Sequence, residues 1–575
     1  MARQRGQRHD PEAWLRLTIT RRTLTKALGL GAATLYLQGC IGRSSRPGAA
    51  RHTLPPELAG ISPIDRSLPE RGVTNFSGDA PDRPHRALWD KQAYLAARGG
   101  ALPEPEERVP LVVIGGGIAG LSSAYLLREH RPVVLEQAPR FGGNSRGEAW
   151  RGIDYATGAA YFIEPDEGSA IASLLDELGL ATDWRVKTTE DPVVVAGKRY
   201  DEFWDGHSDP GRRDQFELLK RHFLALLEES GDLQYPEIPV SDATRRASID
   251  ALDRESFAGY LERIAGGPLH PHIAAAVEHY CWSSFGASSG ELGAASGLNF
   301  YAAEFGNVCV LPGGNAAVAE RLLEQLANAV PAGNLRPGCL VLDVRAAADG
   351  VVVTYEDGNR VLRSLHARAA VVACPKFVVG KLIDDLEPER RNAIARLRYR
   401  AYLVANVLLE RPLGADFYDL FLAGNGGADL ANVERDADRQ RATDVVVGTF
   451  ARTAGWGDVL TLYRSFPYEG GRMKLFEEEA LARYRQEMTE QVQGEILPLL
   501  GIQPSTVAEL RLARWGHALP VADRGLIAER VVDTLRAPWR ERVFFVQQDN
   551  WALPAFETAV TEALLWAPAV RRLLG

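Results

Sequence analysis

From Val109 to Glu136 two short apolar runs flank one helical stripe. Val-Pro-Leu-Val-Val-Ile, ending at Ile114, reads as a strand, because consecutive apolar residues suit a sheet covered on both faces. Gly115-Gly116-Gly117-Ile118-Ala119-Gly120 interrupts it, and residues 121–129 carry apolar positions at helical spacing. Val133-Val134-Leu135 is a second strand and stops at Glu136. Downstream, residues 169–180 predict an amphipathic helix. Trp204, Phe216, Leu218, Leu219, Phe223 and Leu226 fall at helical spacing and read as a core stripe. Residues 340–344, 351–355 and 369–375 read as strands with a hairpin turn at Asp357-Gly358. Helix signals recur over 388–397 and 477–500, and strand-like runs over 402–409 and 444–449. Residues 543–550 predict a buried strand ending in an acid, and a helix opens near Pro554 and runs to Arg571. Before all of this, residues 41–107 are rich in Pro, Arg, Gly and Ser. They read as a tether and an irregular arm without assigned chemistry, with one helix over 86–98.

The glycines at 115, 117 and 120 fit G-x-G-x-x-G, and Glu136 lies about 20 residues on, where a dinucleotide site needs a carboxylate. Gly115 permits the tight turn, Gly117 lets a pyrophosphate approach the backbone, and Gly120 lets the helix pack against the sheet. The phosphates then meet a helix N-terminus, with Ile118 and Ala119 in its first turn, where free N–H groups and the dipole favour anions. Glu136 can accept hydrogen bonds from a ribose hydroxyl. The motif alone does not separate FAD from NAD.

The 575 residues allow two or three domains, and 46% hydrophobic with 25% charged residues is an ordinary globular balance. The net charge of −9 disfavours nucleic acid as a partner and mildly favours a cationic or neutral substrate. Thr20-Arg21-Arg22-Thr23-Leu24-Thr25-Lys26 matches the twin-arginine export pattern, and the apolar run after it is too short to span a bilayer. Leu37-Gln38-Gly39-Cys40 resembles a lipobox, so Cys40 is expected to be lipidated and the protein to be periplasmic or anchored to a membrane. Cys281, Cys309, Cys339 and Cys374 show neither C-x-x-C nor metal spacing, and no metal site is expected.

Arg140-Phe141-Gly142-Gly143-Asn144-Ser145, directly after Glu136, resembles the flavoprotein amine oxidase superfamily, which also holds protoporphyrinogen oxidases and phytoene desaturases. The resemblance implies FAD, with Gly142 and Gly143 closing over its pyrophosphate. Asn144 stands where Arg is usual and Arg146 follows two residues on; either can meet phosphate. It implies that Gly158 and Ala159 run beneath the flavin, that Val341 contacts the adenine and that Pro375 leaves the flavin domain. Arg514-Trp515-Gly516-His517-Ala518-Leu519-Pro520 resembles a run near the flavin, which makes His517 and Trp515 the catalytic candidates. Asp549 is expected at the ribityl and phosphate region, although Gln548 replaces the usual Gly. Ala559 lies in a helix aimed at the flavin pyrimidine edge. No Cys lies near this segment, so the FAD is expected to be non-covalent. Lys376 and Lys381 follow Pro375 but carry no assignment.

The fold expected from the resemblance is α/β: a Rossmann-like FAD-binding domain with a discontinuous α+β substrate domain inserted into it. After the signal (1–40) and arm (41–107), FAD segments are placed at 108–190, 306–375 and 511–575, and substrate segments at 191–305 and 376–510. Residues 280–301 are the expected pocket wall. The expected activity is amine oxidase-like, with hydride moving from a C–H beside nitrogen to flavin N5 and O2 or an unknown acceptor taking the electrons. The alternatives are desaturation or isomerisation of a hydrophobic compound, and a non-catalytic lipoprotein that holds FAD.

Overall fold

A computed structural model describes residues 54–240, 242–424, 441–452 and 455–575. The expectations on the twin-arginine segment and Cys40 lie outside these residues. No described helix is long and apolar enough to cross a membrane.

Two sheets carry the architecture. The first runs Leu335–Arg336, Val133–Leu135, Glu107–Ile114, Leu362–Val372, Gly350–Glu356, Leu340–Ala347, and Val543–Phe545 also pairs with Leu362–Val372. The neighbours of Glu107–Ile114 and the added Val543–Phe545 strand are parallel, whereas Leu340–Ala347, Gly350–Glu356 and Leu362–Val372 form an antiparallel meander. Val112, Val113, Val133, Val134 and Ala370 are fully buried, as consecutive apolar residues must be when both sheet faces are covered. Helix Ile118–Leu126 lies on one face and shares a core with Phe556–Leu574. This is the expected α/β fold.

The second sheet has eight strands in the order Lys198–Tyr200, Val193–Val195, Phe421–Leu422, Asp444–Val447, Asp458–Phe466, Tyr399–Leu409, Val507–Pro520, Ser77–Gly78. Val507–Pro520 crosses the boundary expected at 510/511 and belongs wholly to this sheet. A small sheet of Tyr161–Ile163, Val308–Val310 and Arg185–Lys187 lies in the chain next to the Gly158 turn.

Three local expectations change. The helix expected over 86–98 is two helices, Asp82–Leu88 and Lys91–Ala96. Asp90 separates them, because its side chain accepts the Ala93 amide at 2.9 Å and so starts a new helix. The strand expected over 543–550 is only Val543–Phe545, and Asp549 sits in the short turn Gln548–Asn550. The expected wall over 280–301 forms helices Pro271–Phe285 and Ala294–Ala303, and Cys281, Phe285, Ala294 and Leu298 are core. Cys281, Cys309, Cys339 and Cys374 are all free thiols.

Candidate functional site

The glycine turn separates two reasons for glycine. Gly115 has φ +108, and a Cβ there would lie 2.8 Å from the Ala373 carbonyl oxygen; at Gly120 it would lie 1.9 Å from the Gly115 carbonyl oxygen. Those positions are closed by the protein itself. At Gly117 the nearest atom to an added Cβ is Gly143 Cα at 3.6 Å. Protein packing therefore leaves room there, and no side chain caps the helix that Gly117 starts. That is the cradle a pyrophosphate needs on an uncapped helix end, and it fits FAD.

Glu136 closes the far strand. Its Oε2 accepts the Gly116 amide at 2.7 Å and its Oε1 the Ala138 amide at 2.8 Å. Burial pushes its carboxyl up, and those N–H groups pull it back. Each oxygen keeps a lone pair for a ribose hydroxyl. Cys339 donates its amide to the Glu136 carbonyl at 2.8 Å, which sets Val341, two residues on, in the strand beside this end of the site.

The Gly142–Arg146 loop lies against the turn: the Gly142 amide donates to the Gly116 carbonyl at 2.8 Å. Arg146 donates to Gly143 O at 3.1 Å and to Gly78 O at 2.6 Å, and lies 4.9 Å over the Trp515 ring. Asn144 instead points its amide at the Ala518 carbonyl, 3.2 Å away. Gln548 donates to that same carbonyl at 3.3 Å. The two departures from the superfamily pattern thus meet at one acceptor, a pairing that spacing in the sequence does not reveal.

Gly158 is held from both sides. A Cβ there would lie 2.1 Å from the Asn144 carbonyl oxygen, and that oxygen accepts the Ala159 amide at 3.0 Å. Trp515, 2% exposed, donates its indole N–H to Thr157 O at 2.8 Å. His517 packs 4.3 Å from the Phe377 ring; burial first, then Arg472 and His85, pull it down to about 4, so it is neutral at pH 7. Asp549 is buried, and its Oδ2 accepts the Lys376 amide at 2.9 Å and the Tyr399 hydroxyl. Lys376 is buried, its Nζ donates no hydrogen bond among the described residues, and burial lowers it to about 8. Ala559 is buried in the second turn of Phe556–Leu574. That helix is tied to the strand after Gly158, because Glu557 Oε1 accepts the Ile163 amide at 2.6 Å.

Beyond Gly158 lies a buried acidic cluster; the wall expected over 280–301 contributes Tyr280 and Ser283 to it, and sequence reasoning missed its other members. Tyr463 donates its hydroxyl to Gly158 O at 2.7 Å. Asp444 is its direct cross-strand partner. Ser283 donates to Asp444 at 2.9 Å and sits 2.9 Å from the Tyr402 hydroxyl. Ser283 and Tyr280 share one face of helix Pro271–Phe285, and Tyr280 donates to Glu304 Oε1 at 3.0 Å. Tyr161 donates to the same oxygen at 3.0 Å. Lys187 pairs with Asp191 at 2.6 Å and lies 3.9 Å from Glu304, and the Asp419 amide donates to Asp191 at 3.2 Å.

Four carboxylates (Asp191, Glu304, Asp419, Asp444) therefore share this space with one ion-paired lysine. Asp419 and Asp444 have no ion-pair partner among the described residues. Burial pushes Asp444 up to about 7, and burial, then Asp444, Asp191 and Glu304, push Asp419 well up. The walls are aromatic: Tyr161 and Tyr418 meet edge-on at 5.9 Å, Tyr402 and Tyr463 at 5.5 Å. Tyr418 is 2% exposed, its hydroxyl has no partner among the described residues, and it lines a small cavity with Ala160 and Gly314. The cluster's acids escaped sequence reasoning because they come from separate segments with no common motif.

The chain is similar to proteins already known. The family described as flavin containing amine oxidoreductase has a model that matches residues 118–497. Oxidoreductase PigB of Serratia sp. (strain ATCC 39006) is 24% identical over 526 residues, 81% of this chain and 75% of that one. Flavin-containing amine oxidase A of Canis lupus familiaris is 41% identical over 93 residues, 16% of this chain and 17% of that one. The solved structure of putrescine oxidase bound to putrescine superposes with a TM-score of 0.59 at 16% identity, covering 81% of this chain and 99% of that one. A fatty acid isomerase from P. acnes gives 0.56 at 14% identity, with 81% and 98% covered. At such identities the structural likeness shows the fold.

Proposed function

The chain belongs to the flavin containing amine oxidoreductase family and is an FAD-dependent oxidoreductase, and from that premise we propose that it oxidises an amine. The buried acidic cluster beyond Gly158 receives the amine's ammonium group. One observation carries this reading: Asp419 and Asp444 are buried carboxyl groups without a cation among the described residues, beside a tyrosine that grips the Gly158 turn. A buried carboxylate is costly unless paired, and a substrate ammonium supplies the pair. FAD, when bound, accepts a hydride at flavin N5.

The protein's own groups divide the remaining work. Gly115, Gly117, Gly120, Gly142 and Gly143 shape the pyrophosphate cradle, and Glu136 takes the ribose. Tyr463 holds the Gly158 turn. The four tyrosine rings exclude water and offer faces to a cation. Asp444, ionised above about 7, holds the ammonium proton, with Ser283 orienting the carboxylate. Lys187 pairs with Asp191 and reaches Glu304, so this cation sits on that side of the cluster and the Asp419–Asp444 side is left for the substrate.

A second reading, desaturation or isomerisation of a hydrophobic substrate, has support in the likeness to the fatty acid isomerase and in a 25% match over 216 residues to a phytoene desaturase of Solanum lycopersicum. An oily chain would offer neither acid a cationic hydrogen-bond donor, which is why the amine reading is preferred. Anaerobic mixing of the purified holoprotein with primary, secondary and polyamine panels is expected to bleach the visible flavin band. Bleaching by hydrophobic compounds alone would sink the amine reading.

The address read from Arg21, Arg22 and Cys40 belongs to the same proposal, namely twin-arginine export and lipid attachment in the periplasm or on a membrane. Replacing both arginines by lysine is expected to leave the flavoprotein in the cytoplasmic fraction, and unchanged fractionation would remove the export reading.

A further inference from the structure

The arm that the sequence left without chemistry lies along the 140–147 loop. The Ile61 carbonyl accepts the Phe141 amide at 3.0 Å, and the Pro63 carbonyl accepts the Gly147 amide at 3.1 Å. Arg140 donates to Ala59 O at 2.9 Å, Ser62 O at 3.3 Å and Asp65 at 2.8 Å. Ile64–Asp65 pairs in parallel with Gly147 and Glu148. The chain then crosses to the second sheet, where Ser77–Gly78 adds a parallel edge strand beside Ala513 and Arg514.

At that edge the arm reaches the groups around Trp515. The Gly78 carbonyl accepts Arg146 Nη2 at 2.6 Å. Asp79 accepts the Gly516 amide at 2.7 Å, and Arg146 is among the cations that act on its carboxylate. Gly78 has φ +89, and a Cβ there would lie 2.2 Å from the Arg514 carbonyl oxygen, so the strand seats only with glycine. The Arg146 guanidinium is thus fixed by Gly143 O, Gly78 O, the Trp515 ring and the charge of Asp79. Two of those four constraints come from the arm. Its residues also precede the 118–497 span that the family model matches.

We propose that the arm is part of the cofactor site, with Gly78 and Asp79 as positioning residues that hold Arg146 and the Trp515–Gly516 backbone in place for FAD. The proposal rests on reading Gly142–Arg146 as the pyrophosphate loop. A guanidinium already held in its binding geometry loses little freedom when it meets a phosphate, so the benefit appears as tighter retention. The arm sets the rate at which FAD leaves.

The test uses the full chain, stripped of FAD and titrated with FAD. Asp79→Ala, Asp79→Asn and Arg146→Ala are compared with the native protein by flavin-fluorescence quenching, FAD dissociation rate and thermal midpoint of the apoprotein. Asp79→Ala is expected to raise the FAD Kd about tenfold or more, mainly through faster release. Asp79→Asn keeps an acceptor for the Gly516 amide but loses the charge facing Arg146, and is expected to fall between. A merely structural arm would lower the apoprotein midpoint and leave the Kd unchanged. Native FAD affinity in Asp79→Ala alongside weakened Arg146→Ala overturns the arm's role. Native affinity in both overturns the loop reading as well.

Discussion

Asp444→Asn is expected to cut kcat/KM for amines about 100-fold and to raise the thermal midpoint at pH 8. The first effect follows from removing the charge meant for the ammonium while keeping the shape and the Ser283 hydrogen bond. Truncating one side of a buried charge pair typically costs about 2–5 kcal/mol, which brackets a 100-fold loss. The second follows from the sign of the shift. Burial holds the Asp444 proton more tightly in the folded chain, up to about 7, than in the unfolded one. Folded stability from this group therefore falls as pH rises from the ordinary aspartate range through about 7, and the deficit is fully present above it. Asparagine never ionises, so the variant gains on the order of 1 kcal/mol or more at pH 8 relative to its gain at pH 4. In the native enzyme kcat/KM should climb as pH passes about 7, and that limb should vanish in the variant. Native turnover in Asp444→Asn would show that the ammonium sits elsewhere.

Gly120→Ala is expected to abolish FAD retention and to lower stability by about 2–3 kcal/mol. The new methyl would lie 1.9 Å from the Gly115 carbonyl oxygen and 3.3 Å from Ala373 Cβ, and backbone atoms cannot give way as a side-chain tip can. The helix must leave the sheet, and its N-terminus leaves the phosphates. Gly117→Ala is the informative partner. Nothing lies within 3.4 Å of its added methyl, and its φ of −78° suits alanine. Its apoprotein should melt like the native one while its FAD affinity falls about 100-fold, because the methyl occupies the space of the pyrophosphate. Equal stability losses in both variants would remove the distinction between a packing glycine and a ligand glycine.

The strand–turn–helix–strand unit was legible because every residue in it answers to a neighbour nearby in sequence: apolar runs for a doubly covered sheet, glycines for the turn, an acid at the strand end. The split of residues 82–96 into two helices was not, since it hangs on the single Asp90 cap. The acidic cluster was legible only where the expected wall over 280–301 holds Ser283. Tyr161, Lys187, Glu304, Asp419, Asp444 and Tyr463 each look ordinary in place, and strand pairing between distant segments, such as Asp444–Val447 with Asp458–Phe466, brings them together. The arm hid best of all. Ile61, Pro63 and Gly78 act through carbonyl oxygens, which any residue type supplies.

Helix Ile118–Leu126 rests on Phe556–Leu574, and seven of the eight strands of the second sheet lie between them in the chain. During synthesis the apolar side of the earlier helix must wait, uncovered, until that sheet and then the later helix have emerged. The nucleotide unit is thus a poor candidate for folding on its own as it leaves the ribosome, and a truncated chain would expose an aggregation-prone face. Binding of the flavin then reports that translation ran to the later helix, which makes the colour of the protein a measure of its completeness.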